Sequence, residues 1–309
     1  MSDTPKITAP GWHDGIASDD YHSADICDGP SISASGLKRI ALDCPAIYWA
    51  ESPMNPKREP KETKALDFGK AAHCLMLGEP TFAAEFIVSP YDDYRGKEAR
   101  AWRDDQTKTV VSRDDLATIE AMVAEQKATP YVAWAFQHGV PERSYFAKDK
   151  ETGVWLKARP DWLPSDLRSR MVVEYKTAAS VRPDKFGFQA FDLGYDIQAA
   201  LMLDVIEMVH GYRPLGIAHV VQMKAAPYLC AVQYFTPDQL LRGRRLYRGA
   251  LRTFAACLAA HKRGEPERVA WPGYQVEPQP IITPFKIAKE IAEQAEESFY
   301  EPVASNVAA

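Results

Sequence analysis

The stretch Met171-Val172-Val173-Glu174-Tyr175-Lys176-Thr177 constrains the fold of this chain more than any other. It opens with three apolar residues and continues with two charged residues, Glu174 and Lys176, that stand two positions apart. Because side chains of a strand alternate between its faces, Glu174 and Lys176 share one face, whereas Val173 and Tyr175 point to the other. A carboxylate in a core strand is costly unless it has a partner. The stretch therefore predicts a strand that carries a carboxylate beside an ammonium group.

A second acidic residue, Asp161, belongs to the motif Arg159-Pro160-Asp161 and lies between the apolar Ala158 and Trp162. It ends another predicted strand, and pairing of the two strands would bring it close to Glu174. Two carboxylates and a lysine can hold a divalent metal and a water molecule beside a phosphate. A Glu-x-Lys tripeptide is also common by chance, so a solvated cluster of ion pairs remains the alternative.

Other candidate residues flank these two strands. His73 lies one helical turn after Gly69 on a helix predicted over residues 64–77, and the small glycine leaves room for a ligand near the imidazole. Tyr195 and Gln198 share a face of a later helix at i, i+3 spacing. Glu142 starts the first strand of the group. Each of these residues alone is equally typical of an ordinary core or surface position.

Two groups of basic residues could contact a nucleic acid backbone. With a net charge of −5, the chain as a whole does not attract DNA, so any contact must come from local patches. A solvated helix face is the alternative for both groups. The first group is Arg95, Lys97, Arg100 and Arg103, and the second is Arg242, Arg244, Arg245 and Arg248.

Composition indicates an ordinary globular protein of the reducing cytoplasm. The chain has 309 residues, of which 46% are hydrophobic, so it can bury a substantial core. Its five cysteines are scattered and form no Cys-x-x-Cys pair, which argues against disulfides and zinc sites. The N-terminus lacks the order of a signal peptide, and no apolar run is long enough for a membrane span. We therefore predict a cytoplasmic protein without a membrane partner.

The periodicity of apolar residues predicts an α/β (α+β) fold with one central mixed β-sheet flanked by helices. Three antiparallel strands are predicted over 142–148, 154–163 and 171–177, followed by a buried helix over 197–208, two further strands and a long helix over 237–262. We expect an extended N-terminal arm over residues 1–30 and a main domain over 31–265. Residues 266–309 are expected to form a link, a short helix over 285–299 and a disordered tail.

The motifs, taken in their order, resemble the PD-(D/E)xK nuclease superfamily. Within it the chain looks most like the exodeoxyribonuclease VIII (RecE) type, whose relatives include the RecB nuclease domain and the bacteriophage lambda exonuclease. The start of RecE-like prophage proteins is also similar to two parts of this chain, the pair Tyr21-His22 and the segment Ser31–Lys38. The similarity covers residues 20–262 and rests on Gly69-x-x-x-His73, Glu142, Arg159-Pro160-Asp161, Glu174-Tyr175-Lys176 and Tyr195-x-x-Gln198.

The resemblance implies a restriction-endonuclease-like core and a role for each motif. The implied metal is Mg²⁺, with Mn²⁺ also accepted, and its implied ligands are His73, Asp161, Glu174 and the backbone carbonyl of Tyr175, assisted by Glu142. Lys176 would orient the attacking water or help to deprotonate it. Gln198 and Tyr195 would position the nucleophile or the DNA backbone. Some RecB-like nucleases hold an iron–sulfur cluster, but here only Cys44 and Cys257 match its cysteines, so we predict no cluster.

The implied activity is that of a Mg²⁺-dependent exodeoxyribonuclease that degrades linear double-stranded DNA from 5′ to 3′ during recombination. The implied partners are DNA ends, further copies of the chain in a ring, and a single-strand annealing protein. Two alternatives remain open. One is a non-catalytic DNA-binding or assembly protein of the same fold, and the other is a PD-(D/E)xK endonuclease.

Overall fold

The computed structural model of the chain describes residues 6–59 and 64–274, with the backbone alone for residues 64–66 and 79–81. The first half of this range is mostly helical. A π-helical turn, Arg39–Asp43, continues its second helix. Its elements are β1 Gly11–His13, α1 Ser18–His22, β2 Ser31–Ser33, α2 Ala34–Lys38, α3 Pro45–Glu51, α4 Lys64–Leu77, α5 Glu79–Glu85, β3 Phe86–Val88, α6 Lys97–Asp104, β4 Thr109–Val111, α7 Arg113–Ala128 and α8 Pro130–Ala135.

The second half of the described range supplies most of the strands. It also contains two long helices that pack on them. Its elements are β5 Gly139–Pro141, β6 Ser144–Lys148, β7 Trp155–Ala158, β8 Trp162–Pro164, β9 Val172–Ala178, α9 Pro183–Asp192, α10 Tyr195–His210, β10 Ile217–Met223, β11 Cys230–Gln233, α11 Pro237–Lys262 and α12 Glu267–Ala270.

The described strands form two main sheets and one small sheet. The larger has the order β11-β10-β9-β8-β5, in which only β9 and β10 are parallel. The second has the order β1-β6-β7-β2, in which only β2 and β7 are parallel. β3 and β4 form a parallel pair. The predicted mixed α/β fold class is confirmed, but the strands are divided between separate sheets and do not form one central sheet.

The division of the sheets follows from Pro160. The strand predicted over residues 154–163 is broken there, because proline has no backbone N–H to donate and restricts the residue before it. Ala158 pairs with Tyr145 in the four-stranded sheet, whereas Trp162 pairs with Val173 in the five-stranded sheet. Asp161 consequently lies at the join between the two sheets, directly before β8.

The side chains of β9 alternate as predicted. Val172 is buried in the core that α10 and α11 cover, whereas Val173 and Tyr175 are buried in a second core with residues of α4 and α7. β9 is thus covered by apolar side chains on both faces. The polar residues Glu174 and Lys176 lie on the same face as Val172. They are nearer to the end of the strand, beside the point where the two sheets meet.

Helices α10 and α11 are defined by their ends. α10 lies between two glycines with left-handed backbone, Gly194 with φ 63° and Gly211 with φ 75°, a conformation that glycine adopts without strain. α11 begins with a capping box in which Thr236 and Gln239 bond each other's backbone. The two helices cross at Gly243, where a Cβ atom would lie 2.2 Å from the backbone oxygen of Asp196.

The N-terminal segment, predicted as an extended arm, contains β1 and α1 and packs on the four-stranded sheet. β1 pairs with β6, and Tyr21 and Cys27 are buried beside Phe146. Apolar periodicity does not reveal this packing because the buried residues of the segment are irregularly spaced and polar contacts add to them. Arg143 donates two hydrogen bonds of 2.7 Å to Asp14, although the two residues are far apart in the sequence.

The packing also continues beyond residue 265. Trp271 is buried and stacks on Trp49 with 4.8 Å between ring centroids. Chain contacts define one unit over Met1–Gly273 and a second over Tyr274–Ala309. The helix predicted over 285–299 and the predicted tail lie outside the described residues. None of the described helices combines the length and the apolar character that crossing a membrane requires.

Two glycines of α11 provide a matched test of the helix crossing. We expect Gly243→Ala to lower the free energy of unfolding by about 3 kcal/mol, because the new methyl group meets backbone that cannot yield. Gly249 has no atom within 4 Å of a would-be Cβ, so Gly249→Ala should raise the free energy of unfolding by up to about 1 kcal/mol. Urea denaturation measures both. Equal effects of the two variants would contradict the close crossing.

Candidate active site

Strand β9 places Glu174 and Lys176 side by side, as the sequence predicts. Glu174 is completely buried, and its Oε2 accepts a hydrogen bond of 2.7 Å from Lys176 Nζ. The same oxygen accepts a second hydrogen bond of 2.7 Å from Gln198 Nε2 of α10. Two donors therefore fix the orientation of this carboxylate.

Asp161 lies next to this pair because the chain leaves its strand at Pro160. Its Oδ2 accepts a hydrogen bond of 2.7 Å from the backbone N–H of Tyr175, and its own N–H points to Glu174 Oε1 at 3.4 Å. Lys176 Nζ lies 4.0 Å from Asp161 Oδ2. The two carboxylates and the lysine predicted from the sequence thus meet at one place.

Helix α4 and the turn before β6 bring two further predicted residues to Asp161. His73 Nε2 lies 3.1 Å from Asp161 Oδ1, and His73 Nδ1 lies 3.9 Å from Glu142 Oε1. Glu142 has a φ of 47°, a conformation that costs free energy in a residue other than glycine. Its N–H donates to the carbonyl of Asp161 at 3.2 Å, which holds it beside the acidic cluster.

Tyr195 and Gln198, at the start of α10, cover the other side of the lysine. The ammonium group of Lys176 lies 5.3 Å from the centroid of the Tyr195 ring, a cation–π distance. The Tyr195 ring also stacks on His219 at 6.2 Å. In the sheet His219 pairs with Glu174, so its ring lies on the same face as the carboxylate.

These residues surround a cleft of about 470 Å³. The sequence prediction missed several of the lining residues, because no motif distinguishes single polar residues on α1, α4 and α5. Glu174 lies directly behind the lining through its hydrogen bonds with Lys176 and Asp161, and Gln198 lies behind Glu174, to which it donates. The lining consists of Ser18, His22, Gly69, Lys70, His73, Cys74, Glu85, Glu142, Asp161, Tyr175, Lys176, Thr177 and Tyr195.

The environments of the two carboxylates move their pKa values in opposite directions. Burial works to raise the pKa of Asp161, but the charges of His73 and Lys176 outweigh it and lower that pKa to about 2. Burial and the nearby charge of Asp161 raise the pKa of Glu174 to about 7. Asp161 is therefore held as an anion, whereas the pKa of Glu174 lies close to neutral pH.

The two basic groups are stabilised in their charged forms. Burial opposes the charge of Lys176, but Glu174 and Asp161 overcome it and raise the pKa of Lys176 above its usual value. Burial likewise disfavours the charged form of His73, yet Asp161 raises the pKa of His73 well above its usual value.

The donor types at this place suit a hard divalent cation. His73 Nε2 is buried and lies 3.1 Å from Asp161 Oδ1, an ion-pair distance at which the geometry of a hydrogen bond is not met. Asp161 supplies a carboxylate. The carbonyl of Tyr175 points to the same strand edge as its N–H, which faces Asp161. The carboxylate and carbonyl oxygens are donors that hard divalent cations prefer, and the imidazole adds a nitrogen donor.

Glu174, also predicted as a metal ligand, is bound by hydrogen-bond donors of the chain itself. Both its oxygens accept hydrogen bonds from the chain, as described above. Within the described residues, no group of three or more His, Cys, Asp or Glu side chains forms a ready ligand set. Glu174 Oε1, which accepts only the N–H of Asp161 at 3.4 Å, is the oxygen that could turn to a cation while Lys176 and Gln198 stay on Oε2.

The eight basic residues proposed for DNA contact do not line this cleft. In the first group, Arg95 has a side chain that is 93% exposed, and Arg103 pairs with Asp104 at 2.8 Å. Three of the four arginines of the second group, all on α11, bind carboxylates outside that helix. These pairs are Arg242 with Asp196, Arg244 with Asp204, and Arg248 with Asp149 and Glu151.

Two of these arginine–carboxylate pairs connect α11 to α10. Asp204 of α10 accepts hydrogen bonds from Arg213 at 2.9 Å and from Arg244 Nε at 2.8 Å, and also from Tyr247. A buried carboxylate with several donors joins the helices that carry them. Arg245, by contrast, is exposed and makes no ion pair among the described residues. DNA contact by either group stays a prediction.

Comparison with known proteins agrees with this geometry. The family model described as "PDDEXK-like domain of unknown function (DUF3799)" matches residues 33–268. Among proteins with curated descriptions, no sequence match was found. The solved structures that resemble the chain include a candidate exonuclease from Eubacterium rectale, with a TM-score of 0.60 and 15% identity, covering 90% of this chain and 98% of that one. Such a likeness shows a shared fold, and because the family model matches well over half of the sequence, the chain belongs to the PDDEXK-like family.

Proposed function

We propose that this protein hydrolyses DNA phosphodiester bonds with the help of a divalent metal ion. The observation that carries the proposal is the meeting of Asp161, Glu174, Lys176 and His73 in one cleft at the join of two sheets. Membership of the PDDEXK-like family supports it, because this acidic pair and lysine follow that family's pattern. Neither composition nor net charge would have indicated this chemistry.

His73, Asp161, Glu174 and the carbonyl of Tyr175 would hold the metal, with Glu142 behind His73. When bound, Mg²⁺ or Mn²⁺ would polarise a phosphoryl oxygen and lower the pKa of a water molecule. The pKa of Asp161 near 2 keeps this residue anionic at neutral pH, as a metal ligand must be. The raised pKa of Glu174 should fall when a cation approaches, because positive charge favours the carboxylate.

The remaining residues of the site would orient the reactants. Lys176 stays an ammonium group between two carboxylates, so it can orient the water and stabilise negative charge that develops on the phosphoryl group. Gln198 holds Glu174 from behind, and the ring of Tyr195 keeps Lys176 from turning away. Such fixed orientation accounts for a large part of catalysis in general.

The finer description of the activity is also a proposal. We infer an exonuclease that degrades linear double-stranded DNA from 5′ to 3′ in recombination, of the RecE type and encoded by a prophage. A shared fold with a candidate exonuclease supports the exonuclease part. A ring of several copies and a single-strand annealing protein are proposed as partners on the same grounds of resemblance.

Substitution of the central residues tests the proposed hydrolysis. Asp161→Asn and Lys176→Met should each lower the rate of DNA cleavage by at least about 10²-fold, because each removes a charge that the reaction needs. Lys150 lies in the exposed turn between β6 and β7, and Lys150→Met serves as the matched control with an unchanged rate. Thermal melting should show that all three variants are folded. Full activity of either site variant would refute the assignment.

Metal binding can be measured without any reaction. We expect Mn²⁺ to raise the melting temperature of the wild-type protein by several degrees and His73→Ala to lose most of that shift, since binding to the native state alone stabilises it. His138→Asn is the matched control, because His138 is exposed and asparagine tolerates its φ of 53°. Equal shifts in His73→Ala and wild type would remove His73 from the ligand set.

The substrate form separates the exonuclease from its alternatives. An end-labelled linear duplex in Mg²⁺ should release mononucleotides from its 5′-labelled end, and a closed circular duplex should stay intact. EDTA should stop the reaction. Cutting of the circle would instead indicate an endonuclease, and an intact linear duplex bound by the protein would indicate a non-catalytic DNA-binding protein.

A further inference from the structure

Lys38 is a cation near the cleft that has no partner of its own. It is the last residue of α2, and its ammonium group lies 5.5 Å from the centroid of the Tyr195 ring. Lys176 lies 5.3 Å from the same centroid, so two ammonium groups share one aromatic ring. Among the described residues, Lys38 makes no hydrogen bond and no ion pair, and its contact with the Tyr195 ring is a cation–π contact.

Several other basic side chains around the site are already bound within the chain, whereas Lys70 lines the cleft as an exposed residue. Lys176 donates to Glu174, and Lys157 donates to the backbone oxygens of Tyr21 and Ser23. Arg159 donates to Ser144 and to the carbonyl of Ile16, which ties the N-terminal segment to the sheet. These groups hold the protein together and are not available to a substrate in the way that Lys38 is.

The backbone is shaped to hold Lys38 in this place. The left-handed Gly194, directly before α10, lies against its side chain. A Cβ atom there would be 3.0 Å from Lys38 Cδ and 3.1 Å from Lys38 Cγ, closer than ordinary packing allows. The absent Cβ therefore lets the stem of Lys38 reach across the start of α10 to Tyr195. Packing of this kind orients a long side chain before any ligand arrives.

An ammonium group that is partly buried without a counter-ion is costly. Burial, together with the charge of Lys176, lowers the pKa of Lys38 to about 8, although the charges of Glu174 and Asp196 act in the opposite direction. A phosphate oxygen would supply the missing negative charge through a charge-assisted hydrogen bond. The site next to Lys38 is the one in which we place a phosphodiester, so the natural counter-ion is a phosphate of the substrate.

We propose that Lys38 binds a non-bridging oxygen of a DNA phosphate at or next to the bond that is cut. The proposal rests on the proposed function and adds a substrate-binding residue, contributed by α2, that lies outside the acidic cluster. Lys38 would share the charge of the substrate backbone with Lys176 across the ring of Tyr195. It would contact phosphate and not bases, so it would act on every DNA sequence alike.

The test compares Lys38→Met, Lys38→Arg and the control Lys150→Met in binding to a linear duplex in EDTA, where no cleavage occurs. One lost phosphate contact should reduce the slope of log K against log salt concentration by about 0.9 in Lys38→Met. Affinity at low salt should fall roughly tenfold. Lys38→Arg should keep the wild-type slope because it keeps the charge, and so should Lys150→Met. An unchanged slope in Lys38→Met would overturn the proposal.

A second arm identifies the phosphate and does not depend on the slope. Duplexes with a single neutral methylphosphonate at successive positions should bind the wild type more weakly at the contacted phosphate. For Lys38→Met, a methylphosphonate at that phosphate should cause no further loss of affinity. Lys150→Met should behave as the wild type. If the wild type and Lys38→Met lose affinity equally at every methylphosphonate position, Lys38 makes no phosphate contact.

The two proposals fail in different ways. A wild-type protein that cleaves DNA, with Lys38→Met unchanged in both arms, would refute the role of Lys38 alone. A wild-type protein that neither binds nor cleaves DNA would refute the proposed function and the role of Lys38 with it. Because Lys38→Met keeps an unbranched stem to pack against Gly194, it should melt close to the wild type, and Lys38→Gln repeats both arms with a polar side chain.

Discussion

The site depends on one constraint, which is that the charge of Glu174 is buried completely at the join of two sheets. A lone carboxylate there would be protonated, because burial favours the neutral form. Lys176 and Gln198 each donate to its Oε2, and the N–H of Asp161 approaches its other oxygen. Strand β9, helix α10 and the chain break at Pro160 must all be in place to provide these donors. The fold and the chemistry of the site are thus set by the same contacts.

Much of the site could be predicted from the sequence because its central contacts are local. Alternation along β9 places Glu174 beside Lys176, and the i, i+3 spacing of Tyr195 and Gln198 places both on one helix face. These relations need no knowledge of the tertiary structure. The approach of His73 and Glu142 to Asp161 was available only through the resemblance to known nucleases, since nothing local ties residues that are so far apart in sequence.

The predictions that the structure corrects fail where long-range polar contacts decide the outcome. Pro160 separates two sheets, although the apolar pattern runs on through it, because pattern does not show which strand receives a hydrogen bond. The N-terminal segment has little periodicity and yet packs, since Arg143 binds Asp14 from the other side of the fold. The arginines of α11 look like a basic face in sequence, whereas Arg248 binds Asp149, which lies 99 residues earlier in the chain.

These arginine pairs connect the surface of the molecule to its reactive centre. Asp196 is the second residue of α10, between Tyr195 and the turn that carries Gln198, and it is fully buried. Arg242 of α11 binds its carboxylate, and Gly243 allows the two helices to touch at its backbone. The first turn of α10 is therefore held from behind by α11. Because that turn carries the donor to Glu174, an arginine that never enters the cleft still helps to orient its central carboxylate.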